Sequence, residues 1–142
     1  MNGPDYVVAV TVASEVPPVP KGGFTAPMIP LAIRAVCDVM RNRAADPRFP
    51  HTTVEVALQP KQFSCVGQPY WYHALAGTWF PTHVLRCITA WLNPILPPVA
   101  PGALYYFSPV SMVPLGSVPH WVEGKTLVAT PGIDPHYFQF FK

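Results

Sequence analysis

Apolar positions recur with helical spacing in two stretches of the chain. Across residues 27–43, Ile29, Ile33, Val36, Cys37 and Met40 follow at steps that share one helix face. The prolines of this stretch fall in its first turn, where a missing N–H costs little. Across residues 82–93, Val84, Leu85, Ile88, Trp91 and Leu92 line one face, and Asn93-Pro94 stops the helix. Thr52 and Glu55 have capping-box spacing, which predicts a short helix ending near Leu58. Arg34 and Asp38 stand four apart and read as a surface ion pair.

Elsewhere the pattern is less decided. Residues 6–14 are almost continuously apolar. Their β-branched content favours a strand, while length and apolarity equally fit a buried helix. Residues 16–26 and 44–50 read as loops, and residues 59–80 as mostly irregular and rich in aromatics. Residues 103–107 and 127–129 fit short strands or extended loop.

Composition sharpens this picture. There are 20 prolines in 142 residues, roughly three times the ordinary share of about 5%. They break helices and exclude central strands, so short helices joined by stiff loops are expected. Half of the residues are hydrophobic, enough for one domain spanning residues 1–142 with a real core. Net charge is +2 with no basic stripe, which argues against nucleic acid as a partner. No apolar run reaches the length of a membrane span, so no membrane insertion is expected. The first residues lack the positive start of a signal peptide. Cys37, Cys65 and Cys87 form no legible disulfide or zinc pattern, and Cys37 and Cys87 read as buried free thiols. No HExxH, GxSxG or phosphate-loop motif is present, so neither metal nor cofactor is expected.

Candidate chemistry rests on seven carboxylates: Asp5, Glu15, Asp38, Asp46, Glu55, Glu123 and Asp134. Glu15 stands out, because it follows the apolar run and precedes Val16-Pro17-Pro18. A carboxyl walled by apolar groups has a raised pKa, which a general acid near neutrality needs. Glu123 and Asp134 lie in loops, where either could supply a second carboxylate. Many aromatics, among them Phe63, Trp71, Tyr105, Tyr106 and Trp121, fall in predicted loops. They suit either core packing or a groove for sugar rings.

The order of several short motifs then carries a resemblance. Glu15 is followed by Arg41-Asn42-Arg43, Phe49-Pro50, Gln62-Phe63-Ser64, Gly102-Ala103 with Tyr106-Phe107, Trp121, and Ile133 with His136 and Phe138. This series, over roughly residues 6 to 141, resembles the SleB-like cell-wall hydrolases, named for the spore-cortex-lytic enzymes. The sequence departs from that pattern at Val16-Pro17-Pro18, where the loop after the glutamate is longer and proline-rich, and at Ile133-Asp134.

The resemblance implies a mainly α (α+β), lysozyme-like fold related to lytic transglycosylases, with long Pro-rich loops. It makes residues 6–14 a helix that delivers Glu15. It implies cleavage of the β-1,4 bond between N-acetylmuramic acid and N-acetylglucosamine in bacterial peptidoglycan. Glu15 is the implied acid/base; Gln62, Phe63, Ser64, Tyr105, Tyr106 and His136 are the implied substrate-binding residues. Asn42 and Arg43 are expected to fix helix packing, and the role of His136 could be structural. A hydrolytic muramidase and a non-catalytic wall-binding or virion protein are the competing expectations. Chain size suggests a bacteriophage endolysin or virion-borne lysin, made in the cytoplasm and acting on the wall, with a holin or other virion proteins as partners.

Overall fold

The computed structural model describes residues 1–59 and 62–142; residues 60 and 61, within the stretch expected to be irregular, lie outside the described residues. The fold is mainly α with a small antiparallel sheet. Five helices come first: α1 (Gly3–Glu15), α2 (Met28–Ala45), α3 (Thr53–Leu58), α4 (Pro69–Leu75) and α5 (Pro81–Leu92). Strands β1 (Tyr105–Phe107), β2 (Leu127–Val128) and β3 (Gln139–Phe141) follow, with single turns of 3₁₀ helix at Pro109–Ser111 and His120–Val122. Among the described residues, no helix is long and apolar enough to cross a membrane.

Residues 6–14 are helical, as the resemblance implied and against local propensity. The reason is burial: Val8, Ala9, Val10, Thr11, Val12 and Ala13 are all sealed. A helix apolar on every side is stable only at the centre of a domain, and α1 lies there, packed against α2, α3, α4 and α5. Asn2 Oδ1 caps its start by accepting from the Asp5 amide at 2.8 Å. Thr11 Oγ1 donates to the Val7 carbonyl and accepts from Trp71 Nε1 at 3.2 Å, so the buried hydroxyl is satisfied twice.

The other helices match the periodic stretches with corrections. Helix α3 begins as expected, with Thr52 Oγ1 accepting from the Glu55 amide. Helix α4 falls within residues expected to be irregular. It is a single seven-residue piece that buries only Trp71 and Ala74, too short to show a period. On α5 the buried face is His83, Val84, Cys87 and Trp91, whereas Leu85 and Leu92 are exposed. The face that meets α1 and α2 is set by geometry and accepts a histidine in place of the leucines.

The Arg34–Asp38 pair does not form. Asp38 Oδ2 instead accepts from the amides of Val99 and Ala100, at 2.8 and 3.0 Å, while Arg34 reaches the Pro97 carbonyl. The proline-rich segment after α5 has few amide partners of its own, and a carboxylate binds two amides more strongly than it binds one exposed guanidinium. All three cysteines are buried and free, and burial pushes the Cys37 thiol up to about 12.

The sheet has the order β1-β3-β2. Tyr106 pairs with Phe140 and Tyr105 with Phe141. Alternation then splits the aromatics between two faces. Tyr106 packs on Phe140 and Phe138, whereas Tyr105, Phe107 and Phe141 gather around Trp121. The closing strand β3 was not expected from the sequence; three residues are too few for an alternation to be read.

Candidate active site

Glu15 is the last residue of α1. Its carboxyl is half-buried at the negative end of the helix dipole, an unfavourable place for a second negative charge. Loss of hydration raises its pKa above the ordinary carboxylate value; the Tyr106 hydrogen bond and the charge of Arg43 partly oppose this. Glu15 Oε1 accepts from Tyr106 Oη at 2.8 Å. The second oxygen, Oε2, has no hydrogen-bond partner among the described residues.

Tyr106 comes to this place through the strand register. Its ring is backed by Phe140 at 5.5 Å, Phe138 at 6.2 Å and Phe63 at 6.4 Å. Burial, chiefly, pushes its hydroxyl pKa up, and the neighbouring Glu15 adds to the effect. The phenol therefore stays a proton donor to Glu15 whether the carboxyl is protonated or ionised.

Arg43, near the end of α2, is 4% exposed. Its Nε donates to the Leu104 carbonyl at 2.6 Å and its Nη1 to Gln62 Oε1 at 3.2 Å. The guanidinium lies over Phe49, Phe63 and Tyr105, at 5.1, 5.3 and 5.7 Å from the ring centres. It makes no ion pair with Glu15 yet lowers that carboxyl's pKa through space. A caged cation at this remove favours the ionised glutamate through space without pairing with it. Asn42 Nδ2 donates to the Ala103 carbonyl at 2.9 Å. Adjacent residues of α2 thus hold the approach to β1.

The expected site residues divide. Glu15, Tyr106, Phe63 and Gln62 form one connected cluster, with Arg43 joining Gln62 to the rest. Within it Phe63 is buried, so its ring supports Tyr106 and Arg43 from below, whereas Gln62 and Ser64 are exposed. Tyr105 points to the opposite face of β1, against Trp121 at 5.5 Å and beneath Lys125. His136 is not brought to Glu15. It is exposed, bonds Asp134 through Nδ1 at 3.2 Å, and lines a separate cavity of about 580 Å³ with Phe107, Val118 and Gln139.

Two participants escaped the reading of the sequence. Arg43 was expected only to fix packing; it does so, and it also acts on the charge of Glu15. His83 of α5 was not singled out, although its Nε2 lies 2.9 Å from the carbonyls of Ala13 and Val16, on either side of Glu15. A signal existed in Pro17, which denies the Ala13 carbonyl its usual partner.

The sequence of residues 31–139 matches the family model described as Cell Wall Hydrolase. The chain belongs to the cell wall hydrolase family. The matched segment contains Arg43, Gln62, Phe63, Tyr105, Tyr106 and His136, and Glu15 precedes it. Among solved structures, the chain is similar to the catalytic domain of the germination-specific lytic transglycosylase SleB from Bacillus anthracis. The TM-score is 0.62 at 21% identity, over 100% of this chain and 97% of that one. It is also similar to the catalytic domain of the Bacillus cereus SleB protein, with a TM-score of 0.56 at 22% identity over 99% and 91% of the two chains. At such identities the shared property is the fold. No curated protein matches this sequence. For a cell wall hydrolase family member the general substrate is peptidoglycan, and the family is an enzymatic one.

Proposed function

We propose that this protein cleaves the β-1,4 bond between N-acetylmuramic acid and N-acetylglucosamine as a lytic transglycosylase, with Glu15 as its single acid/base. The observation that carries the proposal is the Glu15 carboxyl itself. It is half-buried with a raised pKa, anchored through Oε1 by Tyr106, and without a hydrogen-bond partner at Oε2 among the described residues.

In the first step protonated Glu15 donates from Oε2 to the glycosidic oxygen. The C1–O bond breaks, its electron pair leaves with the N-acetylglucosamine oxygen, and positive charge develops at the muramyl C1. The new Glu15 carboxylate keeps the Tyr106 hydrogen bond and gains from the Arg43 charge. In the second step the carboxylate takes the proton of the muramyl 6-hydroxyl while that oxygen bonds to C1. A 1,6-anhydro end results, and Glu15 is protonated again. One carboxyl serves both steps by microscopic reversibility.

The placement of the other carboxylates supports the single-acid route over the hydrolytic one, which ordinarily uses two. Asp5 accepts from Trp91 Nε1, Asp38 holds the Val99 and Ala100 amides, Asp46 binds Arg48, Glu55 pairs with Thr52, and Asp134 binds His136. Glu123 is exposed. Gln62 and Ser64, exposed beside the cluster, are the proposed sugar contacts; Phe63 supports them.

Mass spectrometry of fragments released from purified peptidoglycan tests the proposal. Anhydromuramyl ends are expected. Reducing muramic ends would replace the transglycosylase with a muramidase, and intact glycan would leave a wall-binding role.

A further inference from the structure

Helix α1 runs into prolines. In a helix the Ala13 carbonyl accepts from the amide of residue 17, but residue 17 is Pro17 and has no N–H. The chain turns away at Val16, with φ −106° and ψ 128°, and closes the helix by one bond from the Val16 amide to the Val12 carbonyl at 3.2 Å. The carbonyl end of the helix that carries Glu15 is therefore short of donors from its own segment.

The donor comes from α5. His83 is 3% exposed, and its Nε2 lies 2.9 Å from the Ala13 carbonyl and 2.9 Å from the Val16 carbonyl. Two carbonyl oxygens at that distance demand a hydrogen on Nε2, since a lone pair there would face two acceptors. Nδ1 is buried with no partner, which suits the bare lone pair of the neutral ring and would leave a second N–H orphaned. Burial lowers the His83 pKa, the carbonyl bonds oppose this, and the Arg86 charge adds to the lowering. The Trp79 ring closes the other side at 6.1 Å.

We infer that His83 is a positioning residue for Glu15: its Nε2–H stands in for the amide that Pro17 lacks and fixes the end of α1 from which the carboxyl meets Tyr106. The inference rests on the acid/base reading of Glu15 and adds a residue to it. It also accounts for how the helix end tolerates the proline-rich departure at Val16-Pro17-Pro18. The two bonded carbonyls belong to residues two before and one after Glu15, so fraying there swings the carboxyl and admits water to it.

The test compares His83→Leu, which keeps bulk without a donor, with His83→Gln, whose amide nitrogen reaches the position of Nε2. For His83→Leu, kcat is expected to fall about tenfold or more with KM nearly unchanged, since small misplacement of a reacting group is costly. The Glu15 pKa, read by carbon NMR of its carboxyl, should drop toward the ordinary carboxylate value. His83→Gln should restore most of both. Nitrogen NMR of the wild-type protein should show the Nε2–H tautomer near neutral pH. An Nδ1–H tautomer, or a His83→Leu variant with unchanged kcat and Glu15 pKa, would overturn the inference. Should His83→Leu not fold, the wild-type tautomer and the Glu15 pKa of His83→Gln decide. Activity persisting in Glu15→Gln would instead fail the acid/base reading, and the NMR titration would still judge the positioning.

Discussion

The Tyr106 hydroxyl donates to Glu15 Oε1 at 2.8 Å, and this bond ties the end of the buried helix α1 to the strand β1, 91 residues further along the chain. It holds one oxygen of the carboxyl and leaves the other without a hydrogen-bond partner among the described residues. Removing it by Tyr106→Phe deletes a hydrogen bond that favours the ionised form, so the Glu15 pKa must rise further. A hydrogen bond to a charged group contributes roughly 1.5–3 kcal/mol, which predicts about a ten- to hundredfold loss of kcat. The pH–rate profile checks it: the limb governed by Glu15 should move to higher pH.

Glu15 also leaves a mark on stability. Its folded pKa lies above the ordinary value of 4.5, so the folded state binds more protons than the unfolded one between 4.5 and the folded value. Stability therefore falls as pH rises through that window. Glu15→Gln removes this penalty. The variant should melt above the wild type at neutral pH, and the difference should vanish below the unfolded pKa. Thermal denaturation across that range is the measurement.

Arg43 combines two donated bonds with three aromatic contacts in a buried place. Lysine keeps the charge but not the planar fork. Arg43→Lys is expected to leave the Leu104 carbonyl or Gln62 without its partner and to cost about 1–3 kcal/mol, measured by denaturant unfolding.

Asp38 and Arg34 are expected to behave unequally. Asp38→Ala strips the Val99 and Ala100 amides of their acceptor and should destabilise by about 1–3 kcal/mol. Arg34→Ala loses one long bond at the surface and should stay within about 0.5 kcal/mol. Equal effects in melting experiments would favour the ion pair expected from their spacing.

These two residues show where the sequence was and was not legible. Spacing located α2 correctly, because its face is set by local periodicity. It misassigned Asp38, because the competing acceptors are amides some 60 residues away (61 and 62 positions). Residues 6–14 carried no period, since α1 is buried on every side; the order of motifs, more than propensity, identified the helix. Helix α4 and strand β3 were missed because each is too short to repeat a pattern. At the site, Glu15 was legible from its setting between an apolar run and prolines. Tyr106 was named among the aromatics, but only the register with Phe140 shows which of Tyr105 and Tyr106 meets Glu15. His83 was hidden on a face credited to Leu85 and Leu92.

The central claim is that Glu15 carries the proton in both steps. Its most direct test is the rate of glycan fragment release from purified peptidoglycan by wild type and by Glu15→Gln, with folding of both verified by their melting curves. General acid–base catalysis contributes about 10²–10⁴-fold, so a loss of at least about a hundredfold in a fully folded variant is predicted. Release at the wild-type rate by folded Glu15→Gln would contradict the account.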